Sequence, residues 1–172
     1  MSGFTRARRA VTTILLTLST ACGGASFDGR VFRGDGLAFR VGDVPGGWRQ
    51  IDAEGALLAF RDDAAEATIA LNGRCGKDGD DVPLAALTHH LFIYFTERQL
   101  IAERELTLDG RAALRTELVA SLDGVPKRFT VYVLKKDGCV YDFMRVAAVG
   151  APAASGQDFE RFVQGFATVS EP

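Results

Sequence analysis

Residues 106–146 read LTLDGRAALRTELVASLDGVPKRFTVYVLKKDGCVYDFMRV. Three Asp-Gly pairs punctuate the stretch, at Asp109-Gly110, Asp123-Gly124 and Asp137-Gly138. Asp-Gly between β-prone runs is a tight-turn signal. The runs it separates, Ala113–Val119, Phe129–Leu134 and Val140–Val146, are therefore expected as consecutive strands of an antiparallel meander. Phe129–Leu134 (FTVYVL) is the most β-prone run in the chain.

Working outward, Leu37, Phe39 and Val41 alternate with Ala38, Arg40 and Gly42, the pattern of a half-buried strand. Pro45-Gly46-Gly47 is a turn, and Trp48 and Ile51 follow on a short strand. Leu57–Phe60 and Thr68–Leu71 supply two more strands, with Asp62-Asp63 near the turn between them. Pro83 opens a helix, where its missing N–H costs little. Leu84, Leu87, Thr88, Leu91, Phe92 and Phe95 follow at helical spacing, with His89, His90 and Ile93 off that stripe. A second helix is expected near the C-terminus. Ser155 would cap it, with Asp158 placed as in a capping box, and Phe159, Phe162, Val163 and Phe166 would face the sheet. Strands in runs with helices inserted give an α+β domain, an antiparallel sheet flanked by helices, over residues 37–172.

The first residues read as an address. Arg6, Arg8 and Arg9 precede the uncharged run Val11–Leu18, and the small residues Ser19, Thr20 and Ala21 lead to Cys22. The order is that of a secretory signal, with an apolar run too short to span a bilayer as a helix. Leu18–Cys22 is similar to a bacterial lipobox, with Ser19 at the position three before the cysteine and Leu18 one residue further back. We expect residues 1–21 to be a cleaved lipoprotein signal peptide, lipidation at Cys22, and a Gly- and Asp-rich tether over 22–36. An ordinary signal peptidase cut nearby is the alternative. Gly23 after the cysteine, instead of aspartate, points to the outer membrane by resemblance to the enterobacterial sorting pattern. Cleavage removes three arginines and no acid, moving the net charge from −2 to −5.

With 172 residues, 47% hydrophobic and 24% charged, the chain is one globular domain's worth and not a disordered one. The balance of 20 basic and 22 acidic residues provides no field for nucleic acid. If Cys22 carries lipid, Cys75 and Cys139 remain, an even number in an oxidising compartment. They are either a disulfide or two separate thiols at strand ends.

The order of elements, together with Phe39-Arg40-Val41, Pro45-Gly46-Gly47-Trp48, Leu108–Ala113 and Lys136–Tyr141, resembles the PsbP-like (DcrB-like) domain family over about residues 37–168. The resemblance implies an α/β/α sandwich with an antiparallel sheet. It also implies non-catalytic work as an accessory or assembly factor, and it has no universal site to carry over.

Candidate chemistry is sparse. His89 and His90 are adjacent on a helix, so their side chains diverge by about 100° and do not converge on an ion. Asp78, Asp80 and Asp81 lack the closing glutamate of a calcium loop. No G-x-S-x-G is present, and Gly34-Asp35-Gly36 lacks the rest of a phosphate loop. The sequence asks for no cofactor and no metal. Trp48, the only tryptophan, reads first as a core anchor and second as the wall of a ligand cleft. His89, His90, Ile93 and Tyr94 are candidates for a partner surface. The expected function is a membrane-anchored envelope lipoprotein, non-enzymatic, binding a protein partner. The alternative is a periplasmic binder of a small molecule or ion in a cleft between sheet and helices.

Overall fold

The computed structural model describes residues 24–34, 36–44, 46–76 and 81–170. The expected signal peptide, Cys22, Asp78 and Asp80 lie outside the described residues. The meander is built from β7 (Thr96–Leu108), β8 (Arg111–Leu122), β9 (Val125–Lys136) and β10 (Cys139–Ala148). Its three turns are two-residue loops, closed by the pairs Leu108↔Arg111, Leu122↔Val125 and Lys136↔Cys139. Both central residues of each turn have positive φ, from 47° and 72° at Asp109-Gly110 to 53° and 73° at Asp137-Gly138. That is the type I′ geometry whose twist matches the flanking strands. Glycine adopts it freely, and aspartate tolerates it better than most residues.

The sheet continues through β6 (Ala67–Cys75), β5 (Leu58–Asp62) and β4 (Arg49–Ile51), in the order β4-β5-β6-β10-β9-β8-β7 with every pairing antiparallel. Its two faces are covered differently. On one lies α1 (Leu84–His90), with Leu87 and Phe92 packed against Leu118, Phe129, Val131, Val133 and Val140. On the other lie α2 (Ala153–Gln164) and a small sheet of β1 (Ser26–Phe27), β2 (Val31–Gly34), β3 (Leu37–Arg40) and β11 (Ala167–Thr168). There Phe39, Phe143, Tyr141, Phe162 and Phe166 form a contiguous aromatic core, with ring centroids 4.9–6.3 Å apart. Tilted and edge-on pairs of this kind add to the area they bury.

Five expectations are corrected. The domain is less helical than a helix-flanked sandwich, because much of the second layer on the α2 side is the small sheet. Residues 26–34, expected within a tether, are paired strands. Phe32 stacks on Phe39 at 4.9 Å and is buried, so this segment belongs to the core. Ser155 does not cap α2. The helix begins three residues earlier, at Ala153 behind Pro152, and the Ser155 hydroxyl donates to the Pro152 carbonyl from within the first turn. Asp158 is likewise not a capping partner: it accepts the Trp48 indole N–H at 3.0 Å. The first helix also stops sooner than its apolar stripe. The chain turns through Leu91–Tyr94 to enter β7, while Phe92 and Phe95 still pack edge-on against Phe129.

At the C-terminus of α2 two glycines permit a backbone contact. A Cβ on Gly42 would meet the Arg161 carbonyl oxygen at 2.1 Å, and one on Gly165 would meet the Gly42 Cα at 2.2 Å. The Gly42 N–H donates to the Phe162 carbonyl at 2.9 Å, which joins the end of α2 to the small sheet.

Cys75 and Cys139 stand opposite each other on β6 and β10 and are joined by a disulfide. It closes a loop across a sequence separation of 64, which the chain-entropy account values at about 4 kcal/mol. Reduction, or the double change of Cys75 and Cys139 to alanine, is expected to lower stability by about that amount, read as a shift of the urea midpoint.

On the α1 face of β10, Asp142 is buried with one carboxylate oxygen lacking a hydrogen-bond partner, and Arg74 stands 3.6 Å away. Burial raises its carboxyl above the ordinary range against the pull of Arg74. A folded-state value above the unfolded one means that the native state holds the proton more tightly. The stability cost of the charged form is therefore absent below the unfolded value and grows as pH rises through the folded one. Asp142→Asn is expected to raise the melting temperature at pH 7, with the gain shrinking to nothing as the pH falls below 3.8, the ordinary aspartate value.

Candidate functional site

Among the recesses against the meander, two lie on opposite faces of the sheet. The first lies beneath α2 against β8, β9 and β10, an open cleft of about 360 Å³. Strand alternation places Arg115 and Glu117 of β8, Arg128 and Thr130 of β9, and Arg145 of β10 on this face, because they are register partners: Arg115↔Tyr132, Glu117↔Thr130 and Arg145↔Thr130. The helix adds Glu160 from above. Arg115 donates to Glu160 through Nη2 at 2.9 Å and to the Tyr132 hydroxyl through Nε at 3.1 Å, while the Tyr132 hydroxyl donates to Glu160. Burial and the Glu160 carboxylate push the Tyr132 hydroxyl up to about 12. Arg128 pairs with Glu117 at 2.7 Å, and Arg115 reaches the same carboxylate at 3.4 Å.

Arg145 is the deepest member, 5% exposed. Its Nη2 donates to Ser155, and its Nε is buried without a partner. Burial, with the nearby Arg128 charge, lowers its guanidinium below the ordinary arginine range. Arginine nevertheless stays protonated in proteins, so the cleft holds a permanent buried cation.

The second recess, about 300 Å³, runs between α1 and the edge pair β7–β8 and is mostly apolar, with Phe92, Leu100 and Leu118 among its lining. His89 borders it and lies 3.4 Å from Arg98, whose guanidinium also donates to the Phe92 carbonyl at 3.2 Å. Leu100 of this lining is 61% exposed, and the turn after α1 and the start of β7 also expose Ile93, Tyr94 (92% exposed) and Ile101. β7 is an edge strand with two register shifts, at Thr96/Gln99 and Leu100/Ala102, and it carries many charged residues, the usual devices against edge-to-edge pairing.

The structure separates the residues singled out from sequence. His89, His90 and Ile93 sit together, exposed, at the end of α1. Trp48 does not join them. It is buried, its N–H is used by Asp158, and it packs into the core with Phe39 and Phe162, so it presents no ligand wall. The arginine cleft went unread. Its members come from positions 115, 117, 128, 145 and 160, with no spacing that forms a motif. The one available signal was Arg145, a charge in the otherwise apolar alternation Tyr141, Phe143, Arg145, Ala147.

The Glu160 network is expected to contribute to stability. Glu160→Ala leaves Arg115 and the Tyr132 hydroxyl short of their acceptor and should cost about 2 kcal/mol by urea unfolding, between the values for exposed and fully buried pairs because Glu160 is partly exposed.

No protein-family model matches the sequence, and no curated protein matches it. Solved structures do. The solution structure of cyanobacterial PsbP (CyanoP) from Synechocystis sp. PCC 6803 is 17% identical over 87% of this chain and 98% of that one, with a TM-score of 0.55. The crystal structure of LpqN, described as involved in cell envelope biogenesis of Mycobacterium tuberculosis, is 15% identical over 80% of this chain and 87% of that one, with a TM-score of 0.56. A crystal structure from Bacteroides thetaiotaomicron VPI-5482 is 12% identical over 77% of this chain and 46% of the other, with a TM-score of 0.52. At such identities the likeness is one of fold, and the domain has the PsbP-like fold.

Proposed function

We propose that this chain is a non-enzymatic accessory protein of the bacterial cell envelope, anchored by lipid on Cys22 and binding a protein partner through the α1–β7 end of the domain. The observation that carries the reading is the set of large apolar side chains exposed in the turn after α1 and at the start of β7, Ile93, Tyr94, Leu100 and Ile101, of which Leu100 lines the apolar recess bordered by His89. Exposed apolar surface beside a groove, rimmed by charges such as Arg98 and Glu103, is how partner sites differ from scattered exposed side chains. The envelope placement is supported by the signal layout before Cys22 and by the likeness to LpqN, an envelope-biogenesis protein by description. The outer membrane is the favoured destination, on Gly23. Acyl chains on Cys22 would hold the domain stably, since each buried methylene adds about 0.8 kcal/mol.

The experiment is fractionation followed by in-cell crosslinking and affinity capture, comparing the native chain, Cys22→Ala and Tyr94→Glu. Cys22→Ala is expected to leave the membrane fraction. Tyr94→Glu is expected to remain there, folded by circular dichroism, but to lose at least tenfold of the captured partner, a loss of about 1.4 kcal/mol. A native chain that is not membrane-bound, or equal capture by Tyr94→Glu, removes the corresponding half of the proposal. Turnover by the purified protein removes its non-enzymatic character.

A further inference from the structure

The cleft under α2 holds a buried cation, Arg145, that no carboxylate among the described residues pairs with directly; Glu117 and Glu160 act on it only from a distance. The two carboxylates of its lining are occupied by other groups, Glu160 by Arg115 and Tyr132, and Glu117 by Arg128 and Arg115. Arg145 forms no ion pair among the described residues, and Ser155, a neutral hydroxyl, is its one hydrogen-bond partner there. The lining thus carries Arg115, Arg128 and Arg145 against two acids. An unpaired buried charge is costly, and a fold that keeps one gains when a counter-charge arrives.

The first turn of α2 opens on the same space. Pro152, Ala153 and Gly156 line it, no side chain caps the helix, and its first turn carries no acid. The unsatisfied N–H groups and positive end of the helix therefore add to the field of Arg145. Ala148, Val149 and Ala151 complete the lining with apolar surface.

We propose that this cleft binds a small molecule through an oxyanion, a carboxylate or phosphate group, held between Arg145, Arg128 and the first turn of α2. Charge-assisted hydrogen bonds from guanidinium to such a group are among the strongest a protein makes. The cleft, about 360 Å³ and open to solvent on one side, has room for a small metabolite, and the apolar residues suit a short aliphatic portion. The site is on the opposite face of the sheet from the α1 recess, so it stands or fails apart from the partner reading.

The test is titration of the purified full chain in detergent with inorganic phosphate and, separately, with butyrate, at ionic strength held constant with sodium chloride. Backbone amide shifts of residues 153–156 are the readout. Saturable shifts there are expected, with phosphate alone, butyrate alone or both identifying the anionic group. Arg128→Gln and Arg145→Gln should each weaken binding by about tenfold or more. Because Arg145→Gln risks the fold, Gly156→Leu is the decisive variant. A Cβ at Gly156 meets nothing within 4 Å, and the new side chain would occupy the cleft without removing a charge. It should stay folded and lose binding. No saturation by either anion beyond the chloride control, or unchanged binding in Gly156→Leu, overturns the proposal.

Discussion

The run Phe129–Leu134 of β9 is buried on both faces, with β8 and β10 hydrogen-bonded on either side. Phe129, Val131 and Val133 point to one side and Tyr132 and Leu134 to the other, and all are buried. An antiparallel sheet can leave one face wet, but this strand forbids it. Both faces must be covered, and the remaining elements supply the covers. α1 is only two turns long, yet it and Phe92 close one side. The other, wider side needs α2 and a second small sheet together, which is why residues 26–34 fold into the domain and do not trail as a tether.

The covers also fix where polarity is tolerated. Beneath α2 the aromatic core ends, and the same strand face continues into Arg115, Glu117, Thr130 and Arg145. Charges in such a position are stable only when they satisfy one another. Most do, through Glu160 and Glu117, and Arg145 is left over. On the α1 side the analogous polar intrusion is Asp142, whose nearest cation is a partly exposed arginine at 3.6 Å. The two intrusions differ in consequence. Asp142 can take up a proton and become neutral, whereas Arg145 keeps its charge, with Ser155 as its hydrogen-bond partner and no direct ion pair among the described residues.

Much of the fold was legible because its signals are local. Asp109-Gly110, Asp123-Gly124 and Asp137-Gly138 each define a hairpin within four residues, and the Phe159, Phe162, Val163 spacing marks the buried face of a helix without reference to anything distant. The limits were equally physical. The short β2 run Val31–Gly34 has one deeply buried residue, Phe32, and its strand character comes from pairing with β3, so its composition reads as a linker. Ser155 has the chemistry of a cap, but Pro152 begins the helix earlier and the hydroxyl is drawn to Arg145.

The sequence by itself determined the meander, the two helices and their apolar faces, the placement of two cysteines beside turns, and an N-terminal signal layout, since turn chemistry and periodicity act over a few residues. The tertiary structure alone decided which face each helix covers, that Trp48 belongs to the core, and that five residues between positions 115 and 160 share one cleft. Those outcomes depend on strand register and on packing between distant segments. A side chain's role there is set by what the fold brings opposite it, which nothing in its sequence neighbourhood records.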